Sequence, residues 1–458
     1  MAIGLAAYRA ATSVLGPPVA SLLGRLGPVD GIWRAGFRGA GTETHRATGT
    51  VWVHAASMGE VGMARTWIEE LLARGERSPV LLTTRTRTGL ERARRELGDR
   101  VAARIAPHDL PGIVGSVLDD ARPRRIDVIE TEIWPNMLVE ARRRSSPVTF
   151  VCAAISERST ARLRSLGIAG RALFGEGIFA LPQSEAHAAR FESLGVPQER
   201  IRIMGDLKAA EAARGVPEGR PFASRPALIF GSLRPGEEGA ALRMGVQLER
   251  HRVRTAMESG EAKARQDREG IFEGRSRALL VIAPRHADGE ARVRAVFASS
   301  GFELAARDEA TRGTDVVSWI DEVSRRPGMR AALLATRGEL DRAYGAAWGA
   351  VIGGTFAPFG GHNVWEPAAR ACPVLVGPYH AQVATAIDAI VGEGGGRIVT
   401  GAEERLREAL DSWLADPELE RVGAAAARAA ARASGATERG IAALAAWGLL
   451  PKSAPAIA

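Results

Sequence analysis

The chain has 458 residues, 46% hydrophobic and 25% charged. That is the balance of a folded globular protein, and the length calls for two domains of roughly 200 residues, each with its own core. A net charge of +8 and a pI near 10.3 invite a nucleic-acid reading, but the basic residues are spread along the chain and leave no defined footprint for such a partner. The two cysteines, Cys152 and Cys372, sit in apolar runs and read as buried thiols without metal-ligand spacing.

Residues 1–30 are apolar but broken by Arg9, Pro17-Pro18 and Arg25, too interrupted for a spanning helix. They also lack the basic start and cleavage site of a signal peptide. The reading is a membrane-associated segment, amphipathic or membrane-dipping, with residues 34–49 as a loop. Strand and helix patterns then alternate. Strands are expected at 51–55, 80–84, 101–105, 126–129, 148–152, 177–181 and 201–204, with helices between them, which implies a parallel sheet with right-handed crossovers over a first domain of 31–216.

A Gly-, Pro- and charge-rich stretch at 211–225 reads as the linker. A second alternating series puts strands at 227–230, 279–282, 301–304, 331–334, 349–352 and 374–376 in a second domain of 217–458. Residues 251–277 are charged and poor in apolar periodicity, and are expected to be a mobile insertion. Residues 423–447 read as an Ala/Arg helix at the domain junction. The expected fold is α/β, two Rossmann-like domains facing each other across a cleft, with function in the loops at the carboxyl ends of the strands.

Val51-Trp-Val-His-Ala-Ala-Ser-Met-Gly-Glu60 is a strand, a small-residue turn and a helix start. Ser57 and Glu60 have capping-box spacing, so Glu60 is either a cap or a chemical group, and the local pattern leaves both open. Glu130 and Glu132 stand two residues apart at a strand end, where unpaired carboxylates are costly and one is expected to carry a shifted pKa. Only three of the 61 basic residues are lysine (Lys208, Lys263 and Lys452), so Lys208, in Gly-Asp-Leu-Lys after the strand at 201–204, marks a place where a slim point charge serves better than a planar fork.

In the second domain, Gly231-Ser-Leu-Arg234 opens a helix and offers N–H groups to an anion, and Arg285 could bind a phosphate or carboxylate bidentately. Gly353 to Ala369 contains two glycine pairs followed by His362, Asn363 and Glu366, a loop able to approach a ligand closely, with a glutamate placed to accept from ribose hydroxyls. There is no Walker, HExxH, paired CxxC or GxSxG pattern. A metal or covalent-serine mechanism therefore has no support, and a single donor phosphate could be neutralised by arginine, lysine and helix N-termini.

HAASMGEVG, TTRTRTG, ETEIWPN, ISERS, GDLK, the PRH turn, RGEL and GGHNVWEPAA, in this order, resemble the 3-deoxy-D-manno-octulosonic acid (Kdo) transferases of lipopolysaccharide synthesis. The resemblance implies a GT-B fold and inverting transfer of Kdo from CMP-Kdo to a lipid A precursor of the lipid IVA type, at the cytoplasmic face of the inner membrane. It implies Glu60 as general base and Glu130 and Lys208 as groups that stabilise the transition state. It also implies Pro284, Arg285, Arg337, Gly338, Glu339, Asn363, Val364, Trp365 and Glu366 as CMP contacts, with no metal, no other cofactor and no nucleic-acid partner. Compared with the family pattern, Cys152-Ala-Ala154 replaces Asn-Ala-Arg, Asp206 and Arg234 replace an asparagine and a histidine, and Tyr379 and Gln382 replace another histidine and asparagine. A related nucleotide-sugar transferase or a nucleotide-sugar epimerase are the alternative activities for such a fold.

Overall fold

Four consecutive buried residues, Val51–His54 (β1), form the centre of the first sheet. The run is apolar on both faces, as a strand covered by helices on each side must be. In the computed structural model the described residues are 3–14, 18, 35–36, 49–166, 171–214, 221–262, 278–309, 312–401 and 403–451. The remaining strands of the first sheet are Val80–Thr84 (β2), Ala102–Ile105 (β3), Arg125–Ile129 (β4), Val148–Ala153 (β5) and Ile178–Pro182 (β6). They are all parallel, in the order β3-β2-β1-β4-β5-β6.

A second parallel sheet contains Ala227–Leu233 (β7), Leu279–Pro284 (β8), Leu304–Arg307 (β9), Ala331–Leu334 (β10), Ala347–Ile352 (β11), Val374–Val376 (β12) and Gly396–Ile398 (β13). Its order is β13-β12-β11-β7-β8-β10-β9. In each sheet the first strand in sequence lies between two neighbours whose chains run on in opposite directions, which creates a switch point at the carboxyl edge.

Several expectations need correction. Ile201–Met204 is not a ladder strand. A single bridge joins Ile201 to Ala180, because β6 ends in Pro182, which has no N–H to continue the pairing. The strand expected at 301–304 lies at Leu304–Arg307, since Gly301, with φ +71°, is still closing the preceding helix. Residues 251–262, assigned to a mobile insertion, continue the helix Glu238–Ala262, and the rest of that stretch, 263–277, lies outside the described residues. The Ala/Arg run forms two helices, Leu419–Ser434 and Ala436–Ala446, divided at Gly435.

The chain divides into one unit of Met1–Glu211 with Ser434–Ala458 and another of Ala212–Ala433. The tail therefore belongs with the first domain, not the second. Its apolar stripe supplies the reason: Ile441 and Leu444 are buried in one cluster with Val53, Trp67, Leu82 and Met204. Gly440 permits this packing, because a Cβ there would meet the Trp67 ring at 2.8 Å.

The apolar N-terminus is helical over Ile3–Val14. Leu5 is fully buried in the first unit's core with Val114, Met137 and Leu138, so this helix docks on the protein; residues 1–2, 15–17 and 19–34 lie outside the described set. No helix among the described residues is long and apolar enough to cross a membrane. Leu444→Ala should destabilise the first unit by about 2–5 kcal/mol, measurable by urea unfolding, although the residue is 233 positions beyond that unit's first segment in a tail the sequence assigns elsewhere.

Candidate active site

In the first unit the switch point lies between β1 and β4, and three carboxylates gather there. Glu60 is in the first turn of the helix Met58–Ala73, whose N-cap is Ser57. The capping box is present but shifted by one residue. Ser57 Oγ accepts from the Glu60 N–H at 3.3 Å, and the Glu60 carboxylate accepts from Ser57 Oγ–H at 2.9 Å and from the Ala56 N–H at 2.6 Å. Burial raises the Glu60 pKa above its ordinary 4.5, and the negative charge of Glu130 raises it further.

The turn is held from outside as well. Arg92 donates to the Met58 carbonyl at 2.9 Å and to Glu211 at 2.6 Å. Gly62 leaves room for that pair, since a Cβ there would collide with both side chains.

Glu130 follows β4 with φ +58°, a left-handed conformation that costs a non-glycine residue about 1–3 kcal/mol and is kept only where the surroundings impose it. Two contacts impose it: the Glu130 N–H donates to Val151 O at 2.8 Å, and Lys208 Nζ donates to the carboxylate at 2.7 Å. Burial works to lower the Lys208 pKa, but the charges of Glu130 and Asp206 outweigh it and the ammonium is strengthened. Asp206 also accepts the Lys208 N–H at 2.9 Å. Cys152, a second strained strand-end residue with φ +55°, lies next to this pair with its thiol fully buried; burial and then the Asp206 charge push that thiol up, so it stays neutral.

Glu132 is held by a separate set of bonds. His54 Nε2 lies 3.0 Å from its Oε2, the Trp134 indole N–H donates to it at 3.0 Å, and Arg85 reaches it at 3.3 Å. On the other side of the ring, His54 Nδ1 lies 2.9 Å from Thr83 Oγ1, which also accepts from the Trp52 indole at 2.8 Å. The ionised Glu132 carboxylate can only accept, so His54 Nε2–H donates to it. Burial pushes the Glu132 pKa upward, but His54 and Arg85 outweigh that push and hold it below 4.5.

In the second unit the corresponding switch point lies between β7 and β11. Ser232, at the end of β7, has φ +58°. Gly353, at the end of β11, must be glycine because a Cβ would enter the Ser232 backbone. Glu237 is buried between the two loops, accepting from the N–H groups of Arg234 and Gly354 at 2.8 Å each, Phe356 at 2.9 Å and Ala357 at 3.2 Å. It thereby fixes the glycine-rich loop against the turn after β7.

Beside that turn the surface is positive. Arg234 stacks 4.2 Å over the Phe359 ring and donates to His286 at 2.5 Å, and Arg285 is exposed next to them. Burial, followed by Arg285, Arg234 and His286, lowers His362 to a pKa of about 4, and its buried Nε2 has no partner among the described residues. A neutral histidine and two guanidiniums around a small-residue turn suit an anion. No group of three or more His, Cys, Asp or Glu able to hold a metal is present among the described residues.

The other residues named from sequence divide by burial. Pro284 is partly exposed, and Arg337 and Gly338 are exposed in the turn after β10. The Glu339 side chain is not open to a ligand: it forms a bidentate pair with buried Arg307 at 2.8 and 2.9 Å and accepts from Thr336 at 2.5 Å. Val364 and Trp365 are core residues, 0% and 3% exposed, and any ligand contact they make is confined to the backbone or the ring edge. Asn363 accepts from the Trp365 N–H at 3.0 Å and donates to Glu366 at 3.1 Å, which sets the orientation of that glutamate.

Residues 33–211 match the family described as 3-Deoxy-D-manno-octulosonic-acid transferase (kdotransferase). A 3-deoxy-D-manno-octulosonic acid transferase of Bordetella pertussis is 30% identical over 413 residues, covering 87% of each chain. The chain belongs to the Kdo transferase family. A second such transferase, of Haemophilus influenzae, is 26% identical over 85% of each chain. Among solved structures, a putative UDP-N-acetylglucosamine 2-epimerase of Listeria monocytogenes (TM-score 0.56, 14% identity, 89% of this chain and 98% of the other) and a glycosyltransferase of Rickettsia africae (TM-score 0.53, 11% identity, 89% and 100%) share the fold. That fold is GT-B, with two Rossmann-like domains.

In this Kdo transferase family member, sequence reasoning named Glu60, Glu130 and Lys208 but gave no function to His54, Thr83, Arg85, Glu237 or His286. A lone histidine in a wholly apolar strand was the available signal for His54. Glu339→Gln should cost the second unit about 3–5 kcal/mol at neutral pH by leaving Arg307 buried without a charge partner. Arg307 holds the Glu339 carboxyl down at about 2, against an ordinary 4.5. The pair's contribution is therefore complete above 4.5 and is lost as pH falls toward 2, and thermal melts of the variant should lack that loss.

Proposed function

We propose that the chain transfers Kdo from CMP-Kdo to a hydroxyl of a lipid A precursor of the lipid IVA type, as a peripheral enzyme at the cytoplasmic face of the inner membrane. Family membership, established by the relative covering 87% of both chains, carries the reading. Glu60 accepts the proton of the acceptor hydroxyl, the freed oxygen attacks the anomeric carbon of Kdo from the face opposite the leaving group, and CMP departs with the bonding pair. The capping contacts do not compete with this step. Each carboxylate oxygen has two lone pairs, and the bonds from Ala56 and Ser57 use one on each oxygen while fixing the direction of the rest.

The charge that develops at the reaction centre is met by Lys208, which Glu130 holds in place. In the second unit Pro284, Arg285, Arg337, Gly338 and the backbone of Glu339 are the proposed CMP contacts, together with Asn363 and Glu366; Arg234, which donates to His286, adds positive charge for the donor phosphate. No metal is required on this reading, because the guanidiniums of the second unit meet the phosphate charge. Apolar residues that the N-terminal helix leaves exposed, Val14 among them, would meet the lipid surface.

Incubation with CMP-Kdo and a tetraacylated lipid A precursor should add the mass of Kdo to the lipid. No mass gain where a reference transferase works, or turnover of a UDP-sugar without lipid, would replace the assignment. Glu60→Gln should keep CMP affinity and lower kcat by about 10²–10⁴. With its pKa raised above 4.5, ionised Glu60 should impose an acid limb on kcat/KM above that pH. Glu132→Gln, which removes a negative neighbour, should move the limb to lower pH.

A further inference from the structure

The N-terminal helix Ile3–Val14 is tied to the chain between Glu130 and Asn136 by a set of polar contacts that membrane attachment does not explain. Tyr8 donates to Asp109 Oδ2 at 3.0 Å. The same carboxylate accepts the N–H groups of Asn136 at 3.1 Å and Met137 at 2.8 Å, and so serves as the N-terminal cap of the helix Pro135–Arg143, whose own N-cap position, Trp134, has no side-chain acceptor to offer. Asn136, fully buried, donates to the Asp109 carbonyl at 2.6 Å and to Thr12 Oγ1 at 3.0 Å. Arg9 donates to Asn136 Oδ1 at 3.4 Å and to Glu140 at 2.6 Å.

The segment thus held begins with the site's carboxylates. Two residues before Asn136, the Trp134 indole donates to Glu132, and its ring packs 4.6 Å from His54. At the other end, the Glu130 N–H is fixed to Val151, and Thr131 Oγ1 accepts the Ala154 N–H at 3.0 Å. Glu130 to Asn136 is a short bridge clamped at one end by β5 and at the other by Asp109 and the N-terminal helix. A strained residue such as Glu130 keeps its conformation only while both ends are held.

The geometry points to Tyr8, Arg9 and Asp109 as positioning residues for the reaction: the N-terminal helix sets the place of Glu130 and Glu132 through the cap of the helix Pro135–Arg143. The helix then does more than attach the enzyme to lipid, because losing its contacts disturbs the carboxylates even where no membrane is present. This inference rests on the reading of Glu130, Glu132 and Glu60 as the reaction site.

The test uses the full chain in detergent micelles, with CMP-Kdo and a tetraacylated lipid A precursor, and compares Tyr8→Phe, Arg9→Ala, the double variant and Arg9→Lys. Misplacement of about 1 Å can cost up to about a hundredfold in rate. The double variant should therefore lose about tenfold or more in kcat, with KM for CMP-Kdo unchanged, and Arg9→Lys, which keeps an ion pair to Glu140, should recover most of the loss seen in Arg9→Ala. An unchanged kcat in the double variant, accompanied only by weaker association with phosphatidylethanolamine–phosphatidylglycerol vesicles, overturns the proposal and leaves a plain anchor. Hydrogen exchange of the amides at 130–139 separates this from failure of the assigned reaction. Faster exchange there in the double variant supports the strut even if the parent transfers no Kdo, and unchanged exchange overturns it.

Discussion

Negative charge concentrated at the edge of one parallel sheet is the constraint on which the first unit is built. Glu60, Glu130 and Glu132 sit at the carboxyl ends of β1 and β4, where half-burial makes each ionised carboxylate costly and each raises the cost for its neighbours. Two of the three are relieved by dedicated partners. Lys208 meets Glu130 at 2.7 Å, and His54 with Arg85 meets Glu132. Glu60 has only a helix N-terminus and two neutral donors, so the unrelieved charge falls on it. A group that is poorly compensated and held in a fixed direction is the one suited to take a proton.

The rest of the unit can be understood as support for that inequality. The strained conformations at Glu130 and Cys152 bring two strand ends together around Lys208, and Asp206 caps the short helix that presents it. The bonds among Trp52, Thr83 and His54 hold the imidazole with Nε2 toward Glu132. The second unit has the same kind of switch point with opposite electrostatics. Its strand-end carboxylate, Glu237, is consumed by four backbone N–H groups in organising the glycine loop, and the charges left beside it are half-buried Arg234 and exposed Arg285. One sheet edge gathers carboxylates and the other leaves guanidiniums beside a glycine loop.

Local sequence could not rank Glu60, because its capping box is real. Ser57 caps the helix and Glu60 answers, although it reaches Ala56 rather than the cap residue's own N–H. The cap leaves that carboxylate free to accept further, since the capping bonds orient it without exhausting its lone pairs. Glu339 shows the reverse case. A charged residue in a motif that resembles a nucleotide contact is locked to Arg307 in the interior, and nothing in RGEL indicates that Arg307, 32 residues upstream, would claim it.

The sequence by itself determined the two alternating strand-helix series, the parallel sheets they form, and the strand ends at which Glu60, Glu130, Lys208, Arg285 and the glycine loop would appear. Those features depend on apolar periodicity and short-range turn chemistry, which are local. Tertiary structure alone decided which charges pair, because His54 meets Glu132 and Lys208 meets Glu130 across 78 residues in each case. It also decided that the tail beyond Ser434 completes the first core, since an alanine-rich amphipathic stripe fits any apolar groove and only Trp67 and its neighbours specify this one. For Val51–Glu60 the division is sharp. Its local pattern specifies a strand, a turn and a capped helix, and the burial and neighbouring charge that raise the pKa of its last residue come from strands and helices elsewhere in the chain.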